Sequence, residues 1–100
     1  ITWSKPILVK ELPEPACQAS MLRLEGKEVL FVNPAVHRRG GFHLWSRNTL
    51  TLRLSRDDGK TWPHARVLNK GLAGYSDLAV GKEGGILCVF ENGERDYCET

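Results

Sequence analysis

No apolar run in this sequence approaches the roughly 20 residues that a membrane-crossing helix needs. No stretch has the charged-then-apolar layout of a secretory leader. No segment repeats its apolar residues at a convincing helical spacing, which removes helical bundles from consideration. Cysteine is scarce and odd in number. Cys17, Cys88 and Cys98 leave one thiol over under any disulfide scheme, and their spacing is wrong for a zinc knuckle, so they read as buried or incidental thiols. His37, His43 and His64 likewise lack metal-ligand spacing and read as loop or surface residues. Charge is nearly balanced, with 14 basic against 12 acidic residues and a net of +2, too little to argue for nucleic acid. Positive charge does gather mid-chain, at Arg38, Arg39, Arg47 and Arg53.

What is present is the vocabulary of short strands and tight turns. The 100 residues, 41% apolar with ten glycines, suit one small β-rich domain or a piece of a larger one. Asn48 to Ser55 alternates, with Leu50, Leu52 and Leu54 on one face and Thr49, Thr51 and Arg53 on the other, as a half-buried strand does. Further strands are expected at Pro6 to Lys10, Cys17 to Leu24, Glu28 to Asn33, Arg66 to Leu68, Tyr75 to Val80 and Ile86 to Asn92, with another beginning near Tyr97. A long Gly- and His-containing loop separates Asn33 from Arg47. Short strands joined by tight turns predict an all-β antiparallel meander.

The segment SRDDGKTW, Ser55 to Trp62, specifies one of those turns. An aspartate at Asp57 can accept backbone N–H groups of the turn, and Gly59 supplies a positive φ that other residues resist. Trp62 is an aromatic lid with a polar handle, suited to packing back on the sheet. Asp58 reads as a solvated turn residue.

Ser55, Asp57, Gly59, Thr61 and Trp62 match the S-x-D-x-G-x-T-W pattern of the Asp box, and the opening Ile-Thr-Trp resembles the end of a preceding box. In these residues the chain resembles the sialidase (neuraminidase) family, whose propellers repeat this turn. That resemblance implies a six-bladed β-propeller, with this chain as a C-terminal fragment. One complete blade would cover about 17–68, the next would begin near 75, and residues 6–10 would be the outer strand of the blade before. The rest of the propeller, upstream, would then be a required partner, since bare blade faces and strand edges ask for cover.

Topology locates a face. In an up-and-down blade the start of the first strand, the end of the second and the start of the third share one edge. Gln18, Asn33, Arg47, Tyr75 and Glu91 therefore fall together, opposite Asp57 and Trp62. The family resemblance continues through these residues in order. SRNTLTLRLSRDDGKTW looks like the segment carrying the third arginine of a carboxylate-binding triad, which falls on Arg47. AGYSDLAV is similar to the segment bearing the tyrosine nucleophile, here Tyr75. CVFENGE resembles the segment whose glutamate orients the first triad arginine, here Glu91, with Phe90 where many members have tyrosine. PACQAS is similar to a segment whose glutamine, here Gln18, lies near the polar side chains of the substrate, and Asn33 joins it as a candidate substrate contact.

The implied substrate is a sialylated glycan, cleaved by an exo-α-sialidase with no cofactor and no metal. Secretion or a periplasmic location is what the family suggests. The two other arginines, the aspartate acid/base and the glutamate paired with the tyrosine have no counterparts in these residues, so the chain alone is expected to be inactive. Each side chain also has a plainer reading: Tyr75 as a half-buried strand tyrosine, Glu91 as a paired strand end, Arg38 and Arg39 as solvated loop charges or rim residues. The rival function is a non-catalytic Asp-box propeller that binds glycans or proteins.

Overall fold

A computed structural model describes residues 2–36 and 47–94. Within them the chain is all-β: β1 (Ser20–Arg23), β2 (Val29–Pro34), β3 (Asn48–Ser55), β4 (His64–Val80) and β5 (Ile86–Gly93) form one antiparallel sheet in sequence order. Strands that follow one another in sequence commonly pair as neighbours, and this sheet keeps that order. The β1–β2 turn uses Gly26 at φ 54°, and the β4–β5 turn uses Gly84 at φ 82°.

The alternation at Leu50, Leu52 and Leu54 emerges as expected. Leu30, Val32, Leu50, Ala73 and Leu78 form the buried core, with Leu22, Leu24, Leu52, Leu54, Cys88 and Phe90 packed on it. Val32 and Leu50 are wholly enclosed, each contributing about 2 kcal/mol of apolar burial.

Two expectations change. Arg66–Leu68 and Tyr75–Val80 are one strand, β4, not two. Its first half pairs with β3 up to Leu72, and its second half pairs with β5 from Leu72 onward. The strand stays continuous because β3 holds its first half and β5 its second. Residues 6–10 are not a strand, because among the described residues no neighbour lies in register beside them to form a ladder. The expected strand near Tyr97, and Arg38, Arg39, His37, His43 and Cys98, lie outside the described residues.

The sheet curls until β1 faces the second half of β4. Side chains close that gap: Ser20 Oγ donates to Asp77 Oδ1 at 3.0 Å and accepts the Leu78 N–H at 3.1 Å. A four-stranded meander whose first strand lies beside the start of the next is compatible with one propeller blade and part of its neighbour.

The β3–β4 turn follows the chemistry read from Ser55 to Trp62. Asp57 accepts the Thr61 N–H at 2.9 Å and the Thr61 hydroxyl at 2.5 Å, while Ser55 Oγ donates to it at 2.8 Å and accepts the Gly59 N–H at 2.8 Å. Asp58 and Gly59 both take positive φ, 61° and 83°. Trp62 is 5% exposed, donates its indole N–H to the Gly59 carbonyl at 3.0 Å, and meets Phe31 edge-on at 5.9 Å. Asp58 is not merely solvated: it pairs with Arg23 at 2.6 Å.

The Thr61 and Ser55 hydrogen bonds lower the Asp57 pKa to about 2. A carboxylate depressed in the folded state adds stability above its unfolded pKa of about 4, and that contribution disappears as pH falls toward about 2. Asp57→Asn should therefore lower stability at neutral pH and flatten the acid limb between those values. Urea titrations at stepped pH check this; parallel acid limbs for both proteins would contradict it.

Candidate functional site

The edge opposite the Asp box is built by two irregularities in otherwise regular strands. At the start of β3 the register shifts between Asn48 and Thr51, and Thr49 sits at φ 57°. A β-branched residue resists that conformation, so neighbours must hold it. Ala35 N–H donates to the Thr49 carbonyl at 3.0 Å, the Thr49 hydroxyl donates to Asn48 Oδ1 at 2.8 Å, and the Thr51 hydroxyl donates to the Thr49 carbonyl at 2.9 Å. The bulge redirects the chain just after Arg47.

The second irregularity lies in β4. Ala73 pairs with Asn92 and Ser76 with Phe90, so Gly74 and Tyr75 together oppose Glu91. Two residues against one is a β-bulge, which removes the bulged residue from the ladder. The Tyr75 N–H would be left without a partner there, and Glu91 Oε2 accepts it at 3.0 Å.

The two bulges bring Arg47 and Tyr75 together. The Arg47 guanidinium carbon stands 5.5 Å from the centroid of the Tyr75 ring, a cation–π contact. Arg47 Nη2 also donates to the Ala16 carbonyl at 3.0 Å, while its own carbonyl accepts the Ala73 N–H at 3.0 Å. Ala16 has φ 59°, with its N–H on the Glu14 carboxylate. Tyr75 is 50% exposed, and its hydroxyl makes no hydrogen bond among the described residues. An open depression of about 450 Å³ lies against it, lined by Gln18, Tyr75, Ser76, Asp77, Val89, Phe90 and Glu91.

Gln18 and Asn33 share this edge; the Gln18 carboxamide and the Asn33 Nδ2 bond the protein itself, while the buried Asn33 Oδ1 has no partner among the described residues. The Gln18 carboxamide donates to the Ser76 carbonyl and accepts the Ser76 N–H, both at 3.2 Å. Asn33 is 0% exposed and donates to the Pro13 carbonyl at 2.7 Å, so it offers no surface to a ligand. The expected substrate contact at Asn33 thus falls on a residue that is enclosed among the described residues. Arg53, grouped in sequence with Arg47, lies nearer the Asp-box end of β3, partly buried, and desolvation lowers its pKa.

Sequence reasoning missed Cys17 as a neighbour of this edge. Burial pushes its thiol pKa up, while Arg47 pulls it down and Glu91 and Glu14 add to the rise. Its adjacency to Gln18 was the available signal. Cys88 is also free and raised, first by burial and then by Asp77. Among the described residues no group of three or more His, Cys, Asp or Glu is placed to hold a metal ion.

Chemically, the edge offers a forked cation, a phenol beside it and a carboxylate already holding the phenol's backbone. Such a set suits a ligand bearing a carboxylate, which a guanidinium recognises through two parallel charge-assisted hydrogen bonds. Comparison with known proteins agrees with the character of the chain. The family model of the BNR repeat-like domain matches residues 1–89. A sialidase from Micromonospora viridifaciens is 32% identical over 93 residues, covering 84% of this chain. The chain spans 13% of that relative's length.

Proposed function

This chain belongs to the BNR repeat-like family, and on that premise we propose that it forms part of an exo-α-sialidase, a retaining glycoside hydrolase acting on terminal sialic acids. Tyr75 is the nucleophile, and Arg47 is one of the arginines that hold the substrate carboxylate. Glu91 fixes the backbone of Tyr75 and presents a carboxylate to an arginine outside this chain. The observation that carries the reading is the Arg47 guanidinium over the Tyr75 ring at 5.5 Å, with Glu91 on the Tyr75 N–H, beside an open depression.

The substrate's own chemistry explains the choice of a phenol. Most retaining glycosidases attack with an aspartate or glutamate, and the handful of exceptions includes sialidases with tyrosine. The anomeric carbon of a sialoside already bears a carboxylate, so an anionic nucleophile would approach against like charge. A neutral phenol avoids this, provided its proton leaves as the oxygen attacks. The Tyr75 oxygen would form a bond to the anomeric carbon while the glycosidic C–O bond breaks. The phenolic proton passes to a base, and the leaving oxygen takes a proton from an acid. Neither of those groups has a counterpart in these 100 residues. Water, giving a proton to the now deprotonated acid, then attacks the same carbon as the bond to the Tyr75 oxygen breaks, and that oxygen takes its proton back from the base. Two inversions at one centre leave its configuration unchanged.

The corresponding experiment is proton NMR of the first-formed product, using the complete reading frame that encodes this chain and an α-sialoside. The α-anomer should appear first and then mutarotate, while the 100-residue chain alone gives no hydrolysis. Binding of sialylated glycan without turnover would favour the non-catalytic propeller, and a first-formed β-anomer would exclude the covalent tyrosine route.

A further inference from the structure

We infer that Gln18 is a positioning residue for Tyr75, acting as a side-chain substitute for a missing backbone partner. This rests on the reading of Tyr75 as nucleophile, but its geometry stands apart from that reading.

Tyr75 occupies a bulge, where ladder hydrogen bonds are interrupted and the local direction of the chain is weakly fixed. A nucleophile there needs an external brace, because displacement by about 1 Å can cost about 100-fold in rate. Three side chains supply one. Glu91 takes the Tyr75 N–H at 3.0 Å, and Ser20 Oγ takes the Leu78 N–H at 3.1 Å. Between them, Gln18 engages both backbone groups of Ser76, N–H and C=O, each at 3.2 Å.

That two-point hold stands in for the contacts a neighbouring strand would make with one residue of β4. A primary carboxamide presents its oxygen beside one of its two N–H groups, as the C=O and N–H of a single strand residue are presented along a strand edge. Ser76 pairs with Phe90 on its other side, so Gln18 holds the edge of β4 that no strand covers among the described residues. Gln18 and Ser20 alternate along one segment and meet Ser76 and Leu78, which alternate along β4, so the brace runs in register. No other side chain of this length offers both functions. Asparagine is one methylene short, glutamate lacks the donor when ionised, and methionine lacks both.

The bonds to Ser76 give the amide a role separate from direct recognition of the substrate, and the two roles differ in what their loss does. Removing a group that grips the substrate would raise KM. Removing a brace leaves the ground-state complex nearly intact and misplaces the attacking oxygen, so kcat falls.

The experiment uses the complete reading frame carrying Gln18→Met and Gln18→Glu. For Gln18→Met we expect kcat on an aryl sialoside to drop about 10- to 100-fold with KM within about twofold. Amide hydrogen exchange in the peptide covering 75–78 should quicken at least about tenfold while peptides of β2 and β3 stay protected. Gln18→Glu gives a signature that general loosening would not. Once protonated, below about pH 4 to 5, the carboxylic acid regains a donor, so its activity relative to wild type should recover as pH falls. Should Gln18→Met fail to fold, that pH-dependent ratio decides the matter.

A raised KM with unchanged kcat would overturn the inference in favour of direct substrate recognition. Unchanged exchange across 75–78 in a folded variant would overturn it too. If the wild-type protein hydrolyses no sialoside, the nucleophile reading falls, and exchange at 75–78 alone decides whether the brace exists.

Discussion

Tyr75→Phe, made in the complete reading frame, should lower kcat on an α-sialoside by about 1,000-fold or more while leaving the fold and the affinity for sialic acid close to wild type. Three features of the residue make the effect so selective. The hydroxyl makes no hydrogen bond among the described residues, so its removal leaves no buried donor or acceptor unpaired. The side chain is half exposed, so no cavity opens. Phenylalanine keeps the ring on which Arg47 stacks and keeps the backbone N–H that Glu91 accepts. Only the hydroxyl, the proposed nucleophile, is removed. The check is steady-state kinetics beside a binding isotherm for free sialic acid. Retained turnover in a correctly folded variant would remove Tyr75 from the chemistry.

Arg47→Ala should act differently. On the proposed reading it would remove a charge-assisted fork from the substrate carboxylate, a loss of roughly 2–5 kcal/mol in kcat/KM when that ion pair is desolvated. Much of this should appear as a raised KM, since the carboxylate is present in ground and transition states alike. Part should appear in kcat, because Arg47 also covers the Tyr75 ring and is tied to the Ala16 carbonyl. Arg47→Lys should recover only a fraction: it restores the charge but neither the planar fork nor the stack. An Arg47→Lys variant equal to wild type would mean that a point charge suffices and that the stacked geometry is incidental.

Much of this architecture is local enough to read from residues in order. The Asp-box turn is largely specified within Ser55 to Trp62, where Ser55, Asp57, Gly59, Thr61 and Trp62 bond one another, while Glu11, Arg23 and Lys27 add contacts from outside that span. The strand Asn48–Ser55 is likewise written in its alternation, and the observed bounds coincide with the expected ones. What escaped were features that exist only between segments. Lys70, Gly71 and Gly74 read as a break, yet β4 runs through them, because β3 holds one half and β5 the other. The bulges at Thr49 and Tyr75 are mismatches in count between partners, invisible in either strand alone. Asn33 ends a strand as expected, and its enclosure and its bond to the Pro13 carbonyl involve a segment twenty residues away. Gln18 was expected at this edge; that its amide is used on Ser76 depends on the curl that brings β1 to β4. The edge shared by Arg47, Tyr75 and Glu91 followed from topology, whereas the stacking of one on another required the bulges.

The central claim is that the oxygen of Tyr75 forms a bond to the anomeric carbon. A sialosyl fluoride with a second fluorine beside the anomeric centre slows breakdown of such an adduct more than its formation, because the departing fluoride drives the first step. The complete protein should be incubated with this probe, digested and mapped by mass spectrometry. The peptide containing Tyr75 should gain one fluorosialosyl group, with fragmentation placing it on that residue. An active protein that carries the label on a different side chain, or that turns over sialoside yet never takes up the label, would contradict the assignment.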